Sequence, residues 1–413
     1  MKETKSQPIT KRMVWEAYKR VKSNGGSAGI DNVSLDKYEE NLSKNLYKLW
    51  NRLSSGSYFP PPVKEVAIPK GDGKVRKLGI PTVADRVAQM VVKQYLEPSL
   101  EPIFHNSSYG YRPNRSAHDA IGEARKNCWK ISWVIDMDIK GFFDEINHDL
   151  MLKALSKHTD EKWIKMYVTR WLTAPVVTQE GEQLERTKGT PQGGVISPLL
   201  ANLYLHYAYD KWMEINFPLI KFERYADDII LHSSTEKQAE YILTKVRTRL
   251  QECHLELHPT KTKIVYCRDD RRKLSTEKED RFTFLGYEFK SRACKDKRGR
   301  IFYSFNPAIS SKAVKNIIKE FRELKIQKWV VATIEEVAEQ LNAKIRGWIN
   351  YYGKFHKSEL HKVFRRLNFR LASWMRRKYK KLKRSWYQSR AGLKQLIEKQ
   401  PNLFVHWKHG FKS

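Results

Sequence analysis

The stretch Phe222-Glu223-Arg224-Tyr225-Ala226-Asp227-Asp228-Ile229-Ile230-Leu231 places two adjacent aspartates between short segments that favour β-structure. Because aspartate tolerates turn geometry and the flanking residues suit strands, the pattern predicts a tight hairpin that presents both carboxylates. Adjacent carboxylates repel each other, and a divalent cation such as Mg²⁺ relieves that repulsion where the substrate carries phosphates. A bare pair is also compatible with a solvated turn, so the rest of the chain has to decide.

The composition restricts the class of partner. The chain has 413 residues, of which 40% are hydrophobic and 12% aromatic, enough for two or three domains with sizeable cores. Its formal net charge of +32 points to a polyanion, most often nucleic acid. A membrane surface is the competing partner, but no apolar run approaches the roughly 18 residues of a spanning helix. Residues 1–10 also contain no apolar segment of a signal peptide, so we expect an intracellular protein without a membrane partner.

The four cysteines are scattered and form no C-x-x-C pair. Neither a disulfide framework nor a four-cysteine zinc site is therefore expected. Cys253, His254 and His258 are close in sequence but have no further partners at ligand spacing, so we interpret them as packing or surface residues.

A second acidic pair lies on a predicted strand, residues 133–139. Period-2 alternation places Asp136 and Asp138 on one face of that strand and the apolar residues on the other. Carboxylates beside apolar neighbours are unfavourable unless they meet a cation. This strand therefore supplies the third carboxylate that a metal site would need.

Three further segments suit contact with phosphates and bases. Residues 63–78 predict a hairpin with cations near its tip, which either clamps a phosphate chain or is an ordinary solvated hairpin. The loop 107–117 combines tyrosines with Arg112 and Arg115, a combination that suits nucleic acid and also occurs in packed turns. Residues 189–198 form a loop rich in Gly and Pro, in which Gln192 can reach a base, a sugar or a phosphate.

After the Asp-Asp hairpin, the sequence predicts an amphipathic helix over residues 236–253 and a strand over residues 255–258. Residues 282–289 predict one further strand, with Gly286 at a point where a neighbour can press close. From Pro307 onward helices dominate. Residues 361–390 carry twelve Lys and Arg and no acid, above an apolar stripe at helical spacing. One buried face and one cationic face suit a helical nucleic-acid clamp, whereas a solvated helix would normally mix both signs of charge.

In this order, these stretches resemble group II intron-encoded reverse transcriptases over nearly the whole chain. The motifs that carry the resemblance are Ile68-Pro69-Lys70, Tyr109-Gly110-Tyr111-Arg112-Pro113, Asp138 through Phe143-Asp144, Thr190-Pro191-Gln192-Gly193-Gly194, Tyr225-Ala226-Asp227-Asp228 and Phe284-Leu285-Gly286. Gly347 to Tyr352 resembles the maturase (thumb, or X) region of the family. The resemblance implies an α+β right-hand polymerase with an antiparallel palm sheet. Its implied domains are a helical extension (1–60), fingers and palm (61–305), and a helical thumb/maturase region with a short basic tail (306–413).

The resemblance also implies the site. Asp138, Asp227 and Asp228 would hold two Mg²⁺ ions, with Mn²⁺ as a substitute. The incoming deoxynucleotide would contact Lys70, Arg76, Gln192 and Lys261, with Lys263 as the alternative to Lys261. Phe143 matches the steric gate that excludes a 2′-hydroxyl. The implied nucleic-acid contacts are Arg112, Arg115, Gly286, Arg365, Arg366, Arg370, Arg376 and Arg377.

The expected activity is RNA-directed DNA synthesis, and the expected partners are template RNA such as a group II intron RNA, a DNA primer or target DNA, and dNTPs. A splicing cofactor, a host enzyme of repair or defence, and an RNA-directed RNA polymerase are the alternatives. The longest family members end in an endonuclease with paired cysteines, whereas here only residues 385–413 follow the basic helices, so we expect no DNA cleavage. Priming would then come from elsewhere, such as nascent strands at a replication fork. The expected location is cytoplasmic, in the bacterial cytoplasm or nucleoid.

Overall fold

The computed structural model describes residues 7–69, 75–272, 278–382 and 385–412. It consists of two compact units. The first unit comprises Met1–Ser116, Met137–Leu231 and Glu240–Lys263, and the second comprises Ala117–Asp136, His232–Ala239 and Ile264–Ser413. No helix in the described ranges is both long enough and apolar enough to cross a membrane.

Within the described ranges, the strands fall into three sheets. Their bounds are β1 Val63–Pro69, β2 Val75–Ile80, β3 Trp133–Asp138, β4 Val176–Val177, β5 Gln183–Leu184, β6 Phe222–Tyr225, β7 Asp228–Ser233, β8 Lys263–Tyr266, β9 Phe282–Phe284, β10 Tyr287–Lys295 and β11 Ile301–Ile309. The strand orders are β2-β1-β4-β5, β6-β7-β3-β8 and β11-β10-β9. The pairs β1–β2, β4–β5, β6–β7, β9–β10 and β10–β11 are antiparallel.

The helices connect and cover these strands. Their bounds are α1 Lys11–Asn24, α2 Leu35–Glu39, α3 Leu42–Ser54, α4 Val83–Leu100, α5 Ala117–Lys130, α6 Phe142–Glu145, α7 His148–Ser156, α8 Lys162–Leu172, α9 Ser197–Leu205, α10 Lys211–Asn216, α11 Glu236–Glu252, α12 Ser311–Glu323, α13 Ile334–Tyr352, α14 His361–Lys378, α15 Trp386–Lys399 and α16 Val405–Lys408. A five-residue π-helix, His206–Asp210, joins α9 to α10. The predicted α+β class is confirmed: antiparallel strand pairs lie among helices up to Ile309, and the described regular structure beyond it is helical.

Helix α4 forms the centre of the first unit. None of its first ten residues is exposed, and Val87 and Val91 are fully buried. This part of the helix is buried on all sides, and its polar residues Asp85, Arg86 and Gln89 are buried with the apolar ones. Helices α1 and α3 pack against it. The hydroxyl of Thr82 accepts a hydrogen bond from the Asp85 N–H at 3.1 Å and thereby defines the helix start.

The second unit joins a long hairpin to a helical bundle. Strands β10 and β11 pair over nine positions, from Tyr287 opposite Ile309 to Lys295 opposite Ile301. The cores of α12, α13 and α14 merge into one apolar cluster. The stripe expected on α14 lies in that cluster, where Phe364, Leu367, Leu371 and Trp374 are fully buried.

Two strand predictions are wrong. Residues 255–258 form only an isolated bridge, Leu257 with Ile139, and the strand begins later, at Lys263. Residues 282–289 are two strands, because Leu285 and Gly286 adopt φ of 50° and 80° and make a two-residue turn between β9 and β10. A leucine with positive φ is sterically uncommon, so no sequence signal announced this turn.

Candidate active site

The Asp-Asp hairpin forms as predicted from β6 and β7. Tyr225 pairs with Asp228 as the last pair of the ladder, which leaves Ala226 and Asp227 as the turn. The strained position is Ala226, with φ of 56°, and not either aspartate. Ala226 is buried, so its surroundings hold it in this uncommon conformation.

The loop before α5 lies along β6 and supports the turn. The Tyr109 N–H donates to the Arg224 carbonyl, and the Arg224 N–H donates to the Ser107 carbonyl, both at 2.8 Å. Gly110 passes so close to the turn that a Cβ there would lie 2.6 Å from the Ala226 nitrogen. Glycine is therefore the residue that this packing admits at position 110.

Arg224 is a structural element of the site that the sequence reasoning did not single out. Its guanidinium is completely buried, and it donates to the Asp210 carboxylate at 2.7 and 2.5 Å. It also donates to Asn202 Oδ1 at 3.1 Å and to the Ala226 carbonyl at 3.2 Å. A buried arginine needs an acidic partner, but the sequence around Arg224 does not identify Asp210 as that partner.

Asp138, at the end of β3, meets a lysine. Its Oδ2 accepts a hydrogen bond from Lys261 Nζ at 2.6 Å. The structure thus brings Lys261 to this carboxylate, whereas Lys263 begins strand β8. Asp136, two residues earlier on the strand, is buried.

Asp227 lies within electrostatic reach of the same groups. Burial raises the pKa of Asp227, the negative charge of Asp138 raises it further, and the cations Arg76 and Lys261 lower it. Burial also raises the pKa of Tyr111, again with a contribution from Asp227. The first unit therefore gathers two carboxylates and two cations beside Tyr111, and Asp228 follows Asp227 directly as the first residue of β7.

The donor set suits a hard cation. Carboxylate oxygens are the preferred ligands of Mg²⁺, and a cation bound at the half-buried Asp227, whose pKa is raised by burial and by the neighbouring Asp138 carboxylate, would offset the repulsion between the two carboxylates. Within the described ranges, no three His, Cys, Asp or Glu side chains are already gathered at ligand spacing. Asp138 instead forms an ion pair with Lys261, so a metal ion bound by Asp138 would compete with the lysine for the same carboxylate.

The loop that contains Gln192 is hydrogen-bonded to the segment that contains Phe143. The Thr190 N–H donates to the Phe143 carbonyl at 2.7 Å, and Gln192 Nε2 donates to Asp144 Oδ2 at 3.2 Å. Strand β2 contacts the same loop, since the Gly79 N–H donates to the Gln192 carbonyl at 3.0 Å. Phe143, which is half-buried, and Gln192 are thus neighbours in one hydrogen-bonded assembly.

A buried polar network positions this loop from behind. Gln89 Oε1 accepts from the N–H groups of Val195 at 2.7 Å and Ile196 at 3.3 Å. Gln89 in turn donates to the buried Asp85 at 2.9 Å. Burial raises the pKa of Asp85, and hydrogen bonds from Trp171, Tyr58 and Gln89 oppose that rise. The sequence reasoning missed this network, because an acid four residues before a glutamine on a helix is a common surface pattern.

The residues expected to contact nucleic acid have different surroundings. Arg112 is buried and bonds to Glu101 and to the carbonyls of His105 and Ser108, which favours a role in shaping its loop. Arg115 donates to Asn106 and lies over the Tyr109 ring at 5.6 Å.

The remaining residues expected to contact nucleic acid belong to the second unit. Gly286 packs near Tyr352, whose hydroxyl would be 3.2 Å from a Cβ at that position. The arginines of α14 are exposed except Arg370, which is half-buried and donates to Gln327 at 3.3 Å; the exposed ones are Arg365, Arg366, Arg376 and Arg377. Lys70, which is expected to contact the incoming nucleotide, lies outside the described residues.

Comparison with known proteins places these features in a family. Residues 68–289 match the family "Reverse transcriptase (RNA-dependent DNA polymerase)", and residues 314–392 match "Group II intron, maturase-specific domain". Protein YkfC of Escherichia coli is 34% identical over 63% of this chain and 74% of its own. The group II intron-encoded protein LtrA of Lactococcus lactis is 32% identical over 62% of this chain and 41% of its own.

A 91 kDa protein in the cob intron of Schizosaccharomyces pombe is 26% identical over 84% of this chain and 50% of its own. The chain thus spans less than two thirds of the length of LtrA and of the yeast protein. Reverse transcriptases generally depend on divalent metal ions, which agrees with the two interacting carboxylates of Asp138 and Asp227. The family match covers more than half of the chain, so this protein belongs to the reverse transcriptases, the RNA-dependent DNA polymerases, and carries the maturase-specific domain of group II introns.

Proposed function

We propose that this chain copies an RNA template into DNA at a site formed by Asp138, Asp227 and Asp228. The observation that carries the proposal is the position of Asp227, which the hairpin turn presents within reach of Asp138 and of two cations. Two bound Mg²⁺ ions would supply activation of the primer 3′-hydroxyl and charge stabilisation of the leaving pyrophosphate. Asp138, Asp227 and Asp228 would hold those ions, and Mn²⁺ is a plausible substitute because it also accepts oxygen ligands.

The neighbouring residues would bind and select the incoming nucleotide. Arg76 and Lys261 bring positive charge to the carboxylates, where a triphosphate needs it. We propose the same role for Lys70, which lies outside the described residues. Gln192 lies in the loop that contacts the Phe143 segment, so the two can act on the same nucleotide. Phe143 would exclude a 2′-hydroxyl by its bulk and so favour dNTPs.

Two of the three expected domains have a proposed role in binding. Residues 61–305 would bind the template RNA, the DNA primer or target DNA, and the nucleotide, supported by the family match over 68–289. Residues 306–413 would bind RNA through their cationic helices, supported by the maturase-domain match over 314–392. Residues 1–60 would be a helical extension. A group II intron RNA is the proposed RNA ligand, because LtrA, which is similar to this chain, is named as an intron-encoded protein.

The test of the polymerase is primer extension on an RNA template with dNTPs and Mg²⁺. Asp227→Ala should abolish extension, whereas Asp160→Ala, which removes an exposed aspartate outside the site, should leave it unchanged. Equal loss in both variants, or full activity of Asp227→Ala, would remove the site from the proposal. Phe143→Ala should admit ribonucleotides, and unchanged sugar selectivity would contradict the gate assignment.

A second candidate function is assistance of intron RNA splicing. The maturase-domain match and the cationic face of α14 favour it. The two functions separate experimentally, because splicing assistance should survive Asp227→Ala while primer extension should not. Measuring both activities on this one variant therefore distinguishes a polymerase with maturase activity from a binding protein on a polymerase scaffold.

A further inference from the structure

A cavity of about 860 Å³ lies between α14 and α15 in the second unit. Its apolar lining comes from the helical core and includes Ala372, Leu393 and Ile397. The volume falls in the range of roughly 300–1,000 Å³ that is typical of sites for small organic groups. The cavity is built entirely from residues outside the carboxylate site, so it requires its own explanation.

The lining carries positive charge without compensation. The five cations of the described lining have no ion-pair partner among the residues that the structure describes: Arg365, Arg366, Arg390, Lys394 and Lys412. Other cations of α14 have partners, since Lys378 donates to the Ala332 carbonyl at 2.5 Å, Lys362 pairs with Glu359 at 2.6 Å and Arg370 donates to Gln327 at 3.3 Å. The described lining contains one acid, Glu398. Clustered cations that the protein itself leaves unpaired favour an anionic ligand.

Aromatic rings lie among these cations. Phe369 and Trp386 line the cavity with their ring centroids 4.6 Å apart, and Tyr387 lines it with 82% of its surface exposed. Exposed rings beside arginines are the combination that stacks bases and holds their phosphates. An acidic peptide would use the charges but would leave the exposed ring of Tyr387 unexplained.

We propose that this cavity binds one unpaired nucleotide of a single-stranded nucleic acid, with the base on the Tyr387 ring and the adjacent phosphates on Arg365 and Arg366. The inference rests on the proposed function only in assigning nucleic acid to the helical region, and it does not require polymerisation. It adds a defined base-stacking site to what would otherwise be a diffuse cationic surface.

The test uses the full-length chain with a pentanucleotide that carries 2-aminopurine at its centre, in EDTA and without dNTPs. Stacking quenches the fluorescence of 2-aminopurine, so the titration reports both affinity and base contact. Tyr387→Phe keeps the ring and should bind like the wild type. Tyr387→Ala should bind about 5- to 150-fold more weakly, the equivalent of about 1–3 kcal/mol for one base stack. RNA and DNA versions of the pentanucleotide identify which single strand the cavity takes.

A second pair of variants tests whether the cations of the cavity contact phosphates. Arg366→Ala should lower the slope of log K against log salt by about 0.7, as expected for one lost phosphate contact on a single strand. Lys399→Ala removes the same charge from α15 outside the lining and should leave the slope unchanged. Far-UV circular dichroism checks that each variant is folded.

Unchanged affinity of Tyr387→Ala, equal slopes for the two charge variants, or equal binding of a blunt duplex would each overturn the proposal. Asp227→Ala should bind the pentanucleotide like the wild type. Loss of primer extension therefore tests the polymerase site, and loss of quenching tests the cavity, independently of each other.

Discussion

Asp210→Asn tests whether the Asp-Asp hairpin depends on the buried charge pair beneath it. The variant removes the negative charge that Arg224 contacts at 2.7 and 2.5 Å, and both side chains have no exposed surface, so solvent cannot screen the guanidinium that remains. Its other acceptors, Asn202 Oδ1 and the Ala226 carbonyl, are neutral and cannot replace the charge. Breaking a buried pair in this way costs about 3–5 kcal/mol.

The expected loss corresponds to a fall of about 6–20 °C in Tm, at roughly 2–4 °C per kcal/mol for a domain of this size. Urea unfolding followed by circular dichroism and tryptophan fluorescence measures the free energy of unfolding directly. The control Asp160→Asn alters an exposed aspartate and should stay within about 0.5 kcal/mol of the wild type. The double variant Asp210→Leu/Arg224→Met should recover much of the loss, because it leaves no unpaired buried charge.

A loss below about 1 kcal/mol in Asp210→Asn would refute the reasoning, since it would mean that Arg224 is satisfied without its carboxylate. Recovery of stability in the double variant without recovery of primer extension would show, in addition, that Arg224 positions the hairpin through its bond to the Ala226 carbonyl.

Three further predictions concern other parts of the chain. Burial lowers the pKa of His406 to about 3, so the folded state favours the neutral imidazole. The stability that this residue contributes above pH 6.5 is therefore lost as the pH falls. Urea unfolding should show a loss of about 2 kcal/mol in the free energy of unfolding at pH 5, and this loss should be absent in His406→Phe. Gly110→Ala places a Cβ 2.6 Å from the Ala226 nitrogen and should lower kcat of primer extension about 10²-fold, whereas Gly347→Ala, where a Cβ meets nothing, should not. Gln89→Leu leaves two backbone N–H groups without their acceptor and should raise KM for dNTPs; an unchanged KM would exclude it as a positioning residue.

The sequence by itself determined the local elements around the site. Short β-favouring segments on each side of Asp227-Asp228 predicted a hairpin, and the structure forms it, with Asp227 in the turn and Asp228 as the first residue of β7. The helix over residues 236–252 and the buried stripe of α14 likewise followed from apolar periodicity. These features depend on residues a few positions apart, so their pattern is visible in the chain.

The order of several motifs also identified the family, which no single motif could have done. A Tyr-x-Asp-Asp pattern alone occurs by chance, whereas six motifs in one order over nearly the whole chain do not. The family match over residues 68–289 confirms that inference. It does not test the roles assigned to Phe143, Gln192 or Lys261, which therefore stay predictions.

Only the tertiary structure decided which distant groups meet. Lys261 and Lys263 are equivalent in sequence, yet Lys261 contacts Asp138, 123 positions earlier. Arg224 finds Asp210 because a π-helix carries that aspartate under β6, and the cavity between α14 and α15 exists only because two helices pack. Periodicity encodes which face of an element is apolar, but the partner of a polar side chain depends on the path of the whole chain, and that path is fixed only when the core has packed.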